Sequence, residues 1–320
     1  MLLLALVYLD SYKLIRFRTV LQLLAGGCVA ALVSYAVNQG LLTALTVSSR
    51  MLTRFAAPAI EETLKALLVI ILLRRRRIGF LIDAAIAGFT VGAGFALAEN
   101  VYYASVLSGF NPAIWLVRGF GTAVMHGGTT AIFSMLTKIL ADRRQSDAWL
   151  LALPGLVVAF ILHSVFNHFL VSPVISTMLI VLTLPPLLVL VFSRGERSLQ
   201  SWLGTGFDLD SELLEAIRSG DFANSRPGRY LQTLREHFEG PVLADMLCYL
   251  RLQSELSLRA KGVLMMRESG FPVKKDQETA AKLAELRYLL RSIGRTGELA
   301  LAPIAHRSTH DVWQLQLLEE

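Results

Sequence analysis

Six long apolar runs dominate the first 192 residues, at approximately 19–38, 55–73, 78–103, 113–140, 148–170 and 174–192. Crossing a bilayer core of roughly 30 Å takes about 20 apolar residues in a helix, so each run predicts a membrane span. A seventh apolar run, 1–9, is too short to cross alone. It reads as the remnant of a truncated first span, with an interfacial anchor as the other reading. It lacks the basic start and small-residue cleavage site of a signal peptide. From about residue 196 the pattern turns amphipathic. Leu213, Leu214 and Ile217 fall at helical spacing after Asp208, Asp210 and Ser211, which can cap. Two longer amphipathic segments, 241–268 and 276–291, are separated by Gly270 and Pro272. The expected fold is therefore all-α. A polytopic transmembrane bundle (1–193), with six full spans and one short N-terminal one, precedes a soluble helical domain (194–320).

Composition agrees with the pattern. Hydrophobic residues make up 54% of the 320 residues and charged residues 18%, with a mean hydropathy of +0.52. Soluble domains carry about a quarter charged residues. Up to Phe192 there are 14 Lys/Arg against 7 Asp/Glu, and beyond it 17 against 18. The excess positive charge thus belongs to the apolar part, where it sits in short loops. That is a membrane-orientation signal, not the basic face of a nucleic-acid-binding domain. Lys13, Arg16, Arg18, the block Arg74 to Arg77, Lys138, Arg143, Arg144, Arg194 and Arg197 all fall on one side if the spans alternate. Only Arg50 and Arg54 fall in the opposite loops. The positive-inside rule then makes the C-terminus cytoplasmic, the 104–112 loop external, and the chain a multi-pass protein of the cell membrane. Cys28 and Cys248, one in each part, suggest no disulfide framework.

Ionisable groups inside spans cost about 2.5–3.5 kcal/mol each at a helix centre, so their presence points to function. Glu61, Glu62 and Lys65 share one run; Asp83 and Glu99 the next; Arg118 and His126 the third; His163 and Asn167 the fourth. Asp83 lies near the cytoplasmic end and reads as solvated, and Arg118 near the outer end reads as snorkelling or pairing with a glutamate. Glu61–Lys65 and His163–Asn167 are i, i+4 pairs on one helical face. Counting 1.5 Å per residue puts Glu61, Glu99 and His163 roughly 6–10 Å below the outer surface, with His126 about 5–10 Å deeper. One water-accessible cavity in the outer half of the bilayer would gather them.

These residues resemble the PrsW family of intramembrane proteases. Glu61-Glu62-Thr63-Leu64-Lys65 looks like its EExxK motif, and Phe95 to Glu99 its FxxxE. Arg118 to His126, with Thr129 and Thr130 beyond, is similar to the arginine-to-histidine segment, and His163 to Asn167 matches HxxxN. The likeness covers about residues 1–193, in family order, and leaves the C-terminal region outside. It implies hydrolysis of membrane-embedded proteins such as membrane-anchored anti-sigma factors, and relates the chain to the type II CAAX-prenyl endopeptidases and bacteriocin-immunity proteins. The cytosolic region would meet a partner of unknown identity.

The residues themselves favour a water nucleophile, since no serine or cysteine is evidently paired with a base. A partly desolvated Glu61 or Glu62 is a stronger general base than a solvated carboxylate, and Lys65 neutralises its neighbour. By analogy with the prenyl endopeptidases, His163 and Asn167 would stabilise the oxyanion, and Glu99 or His126 would orient the water. Glu99, His126 and His163 have the composition of a three-ligand zinc site. The unequal depths and the absence of HExxH favour a metal-free, glutamate-driven mechanism. Two other classes fit less well: a non-catalytic scaffold of the immunity type, and a proton-coupled transporter, for which no inverted repeat is evident.

Overall fold

The computed structural model describes residues 2–10, 12–44, 48–106, 112–144, 149–168, 170–273, 276–305 and 309–319. Among them every regular element is helical. Most of the 104–112 loop lies outside the described residues. The chain divides into two compact units, Met1–Glu196 and Arg197–Glu320.

The first unit begins with α1 (Leu2–Leu9) and α2 (Phe17–Ala44). A short α3 (Ser49–Met51) runs through a π-helical segment, Leu52–Ala56, into α4 (Ala57–Arg74). After α5 (Leu81–Val106), α6 (Pro112–Leu116) runs through a second π segment, Val117–Thr122, into α7 (Ala123–Arg144). A 3₁₀ turn, Trp149–Ala152, leads into α8 (Leu153–Asn167), and α9 (Pro173–Ser219) follows. Among the described residues four helices are long and apolar enough to cross a membrane: Phe17–Ala44, Leu81–Val106, Trp149–Asn167 and Pro173–Ser219. The other two expected spans are helical too, but α4 carries Glu61, Glu62, Lys65 and Arg74, and α7 ends on Lys138, Asp142, Arg143 and Arg144.

Helix α5 is the axis of this unit. Nearly every residue from Ile82 to Ala96 is buried, between α2 on one side and α7 on the other. Apolar side chains gain little by leaving lipid for protein, so such packing needs backbones to approach closely. Glycines permit it. A Cβ on Gly92 would lie 2.1 Å from the His126 carbonyl oxygen, and one on Gly94 would lie 2.1 Å from that of Leu24. Asp83 is not solvated, as its position near a span end suggests: it is 1% exposed, and its carboxylate accepts from the amides of Gly79 (2.9 Å) and Phe80 (3.1 Å). It caps the open end of α5.

In the second unit α11 (Gly240–Glu268) packs against α12 (Gln277–Leu301) and α13 (Thr309–Glu319), with α10 (Arg226–Thr233) completing the core around Met246, Leu250 and Leu256. Helix α12 continues past Arg291, the expected end, through a kink at Gly294, whose φ of 65° suits glycine. Asp210 accepts from the buried Lys261 and from Ser257, so this charge is paired inside the unit.

Gly92→Ala should force α5 and α7 apart and cost about 1–3 kcal/mol or more. Gly40→Ala, with nothing within 4 Å of the added methyl, should be neutral or slightly stabilising. Thermal unfolding of both variants in detergent checks the contrast.

Candidate active site

Glu62 stands where three helices meet. It is 2% exposed, and one oxygen, Oε1, receives Lys65 Nζ at 2.6 Å, His163 Nδ1 at 2.7 Å and Thr129 Oγ1 at 3.4 Å. These donors come from α4 itself, α8 and α7. Lys65 sits one turn beyond Glu62 because of the i, i+3 spacing, and is fully buried. Its ammonium also meets His126 Nδ1 at 3.0 Å and lies 4.8 Å from the centre of the Phe95 ring. An ammonium only donates, so His126 Nδ1 accepts and the ring carries its proton on Nε2. That proton points to Glu99 Oε2, 3.0 Å away. The other Glu99 oxygen pairs with Arg118 at 3.1 Å, and the Arg118 guanidinium lies 3.4 Å from the Tyr103 ring centre.

Glu61 differs from the other two carboxylates. Its nearest cationic or imidazole partner is His163 Nε2 at 3.7 Å, beyond hydrogen-bonding distance. His163 donates from Nδ1 to Glu62, and its Nε2 faces Glu61 across this gap. The site contains three carboxylates (Glu61, Glu62, Glu99) and two basic side chains, Lys65 and Arg118, which pair with Glu62 and Glu99; Glu61 has no such partner.

The gap has the character of a cation site. Glu61, His126 and His163 each offer one ligand atom, and these atoms lie within 4.8 Å of one another. One carboxylate and two imidazoles is a catalytic zinc composition, and bonds of about 2.1 Å at tetrahedral angles put two ligands roughly 3.4 Å apart, close to the Glu61–His163 separation. His163 is further prepared by Glu62, which orients its ring as a carboxylate behind a metal-bound histidine does. His126 would join the set through Nδ1, whose lone pair Lys65 now meets, while its Nε2 proton stays on Glu99. The residues therefore fit a zinc-like ion. The carboxylate among the three is Glu61, where the sequence reading has Glu99; Glu99 stands behind His126.

All the expected residues except Asn167 converge on this network. Asn167 donates from Nδ2 to the Thr53 carbonyl at 3.0 Å, and its neighbour Ser164 donates to the Arg54 carbonyl at 2.6 Å. The expected depth difference for His126 is absent: its ring lies 4.8 Å from that of His163. Depth counting assumes a uniform rise from level starting points. The π turns before His126 and the close crossing at Gly92 break both assumptions. Sequence reasoning missed Ser164 and Tyr103. The signal for Ser164 was Pro58, which lacks the amide that would serve a carbonyl one turn earlier.

Lys65→Met should leave Glu62 as a buried charge without its strongest partner and cost about 3–5 kcal/mol. Glu62→Gln/Lys65→Met removes both charges and should recover much of that loss, as thermal unfolding of the two variants in detergent would show.

No curated protein and no solved structure matches the chain. A protein-family model described as PrsW family intramembrane metalloprotease matches residues 16–191. The match contains every residue of the network above and more than half of the chain. With that family comes peptidase activity, and the apolar helices are those of an integral membrane protein. This chain belongs to the PrsW family of intramembrane metalloproteases.

Proposed function

We propose that this chain cleaves a single-pass, membrane-anchored protein of the anti-sigma-factor kind, hydrolysing a peptide bond in the outer half of the bilayer with water activated at Glu61. The observation that carries the mechanism is the 3.7 Å gap between Glu61 Oε2 and His163 Nε2, set in a network whose other carboxylates are already engaged. Glu62 is committed to Lys65, His163 and Thr129, and Glu99 to His126 and Arg118. Only Glu61 is left to take a proton from water and return it to the leaving amine. Glu62 holds the His163 tautomer, and Lys65 with Glu99 hold that of His126. His126 and His163 would hold a divalent ion together with one oxygen of Glu61, whose other oxygen would remain to act as the base. When bound, such an ion lowers the pKa of water toward 7 and polarises the scissile carbonyl.

The same reading places six full spans and the short α1 in the membrane domain 1–193. Helices α4 and α7 are the two spans whose polar residues face one another instead of lipid. Residues 194–320 form a cytoplasmic helical domain that meets a partner of its own. The loop charges support this orientation.

Glu61→Gln and His163→Ala should each insert normally and lower cleavage by about 10²–10⁴-fold. The readout is cleavage of a single-pass substrate in proteoliposomes, and near-wild-type rates in both variants would overturn the assignment. Chelation should abolish cleavage, and zinc should restore it. A periplasmic-type reporter fused after Arg197 should be silent, and a cytoplasmic one active.

A further inference from the structure

Helix α4 enters the site through a segment that its own backbone cannot complete. The amide of Ala57 bonds the Leu52 carbonyl, five residues back, so the helix is in π register there. In that register the Thr53 carbonyl would next be served by the amide of residue 58, and in α register residue 58 would serve Arg54. Residue 58 is proline and has no amide hydrogen. A helix carbonyl that its own backbone cannot serve turns to a side chain or to water. The two carbonyls at risk are the two that α8 serves: Asn167 Nδ2 bonds Thr53 at 3.0 Å and Ser164 Oγ bonds Arg54 at 2.6 Å. The Phe55 ring also meets the His168 ring edge-on, with centres 5.0 Å apart.

We infer that Ser164 and Asn167 are positioning residues, which clamp the proline-broken start of α4 to α8 and so set Glu61 against His163. On α8, His163 precedes these two grips by one and four residues. Its ring holds Glu62, while Ser164 and Asn167 hold the main chain eight and nine residues before Glu62. With both ends of that stretch fastened to one helix, the Glu61–His163 gap has little freedom to open. Asn167 therefore acts through the backbone of α4, and not as a donor to the substrate's oxyanion. The arm of the test that measures cleavage rests on the peptidase reading above; the arm that measures exchange does not.

The discriminating variant is Pro58→Ala, which returns the missing amide and makes Asn167 dispensable for the clamp. Full-length chain in lipid nanodiscs is compared by hydrogen exchange over residues 52–62 and by cleavage of a single-pass substrate. Asn167→Ala should speed exchange about 10-fold or more relative to its own parent when residue 58 is proline. It should change exchange less than about 2-fold when residue 58 is alanine. Cleavage should follow, with kcat lowered about 10-fold and KM nearly unchanged by Asn167→Ala, and kcat restored by Pro58→Ala. Ser164→Ala should speed the same exchange, and Ser164→Thr, which keeps the hydroxyl, should not. An exchange difference that is equal in the two backgrounds, or absent from both, overturns the clamp. Absence of cleavage in every form, wild type included, overturns the peptidase reading and leaves the exchange comparison to decide the clamp.

Discussion

Everything in the membrane site depends on one carboxylate being tolerable where water is scarce. An ionised side chain at a helix centre costs about 2.5–3.5 kcal/mol even on permissive scales. Glu62 bears that cost because a single oxygen collects an ammonium, an imidazole N–H and a hydroxyl from three helices. The same three contacts fix the relation of α4, α7 and α8. Helix α5 then adds Glu99 from the far side of His126. The polar network is thus also the scaffold. Lipid supplies no hydrophobic force to press these helices together, so glycine contacts and shared hydrogen bonds do so.

Charge accounting sets one carboxylate of the site apart from the other two. Lys65 and Arg118 neutralise two carboxylates, and the third, Glu61, faces a gap and not a cation. A carboxylate beside an imidazole in a poorly solvated place is stabilised by a proton or by a cation. Two imidazoles beside it would favour a transition-type ion over sodium or calcium, which prefer oxygen. The metalloprotease description of the family and the Glu61, His126 and His163 group of this chain are consistent with each other.

Much of this was legible in the sequence, and the rest was hidden for definable reasons. Run lengths indicate which segments are long apolar helices, and four of the six runs are long and apolar enough to cross a membrane among the described residues. Glu61, Glu62, Lys65, Glu99, His126 and His163 stand out because charge in a span is costly. Which glutamate faces the gap is a different matter. Glu61 and Glu62 are adjacent, and only three-dimensional contacts show that Glu62 is engaged by Lys65 and His163 while Glu61 is not. Depth counting likewise cannot register that Glu99 pairs with His126 on one oxygen and Arg118 on the other. Asp83 passed for solvated because its two amide partners, at Gly79 and Phe80, belong to the turn before its own helix.

The π segments carry the last lesson, because one precedes each helix that begins at the site. An extra residue in a helical turn rotates the remainder of the helix by about 100°, enough to bring polar side chains from a lipid-facing stripe to the interior. The register change leaves carbonyls that the helix cannot serve itself. Both segments are served by an asparagine from a neighbouring helix: Asn167 at Thr53, and Asn100, which donates to the Arg118 carbonyl at 3.3 Å. Each asparagine sits beside a residue of the site, Asn167 one turn after His163 and Asn100 directly after Glu99. The side chains of the polar network and those that repair the irregular backbone are therefore carried on the same turns of α8 and α5. A shift of either turn moves both at once, which couples the direction of Glu61 and His126 to the helices that hold their partners.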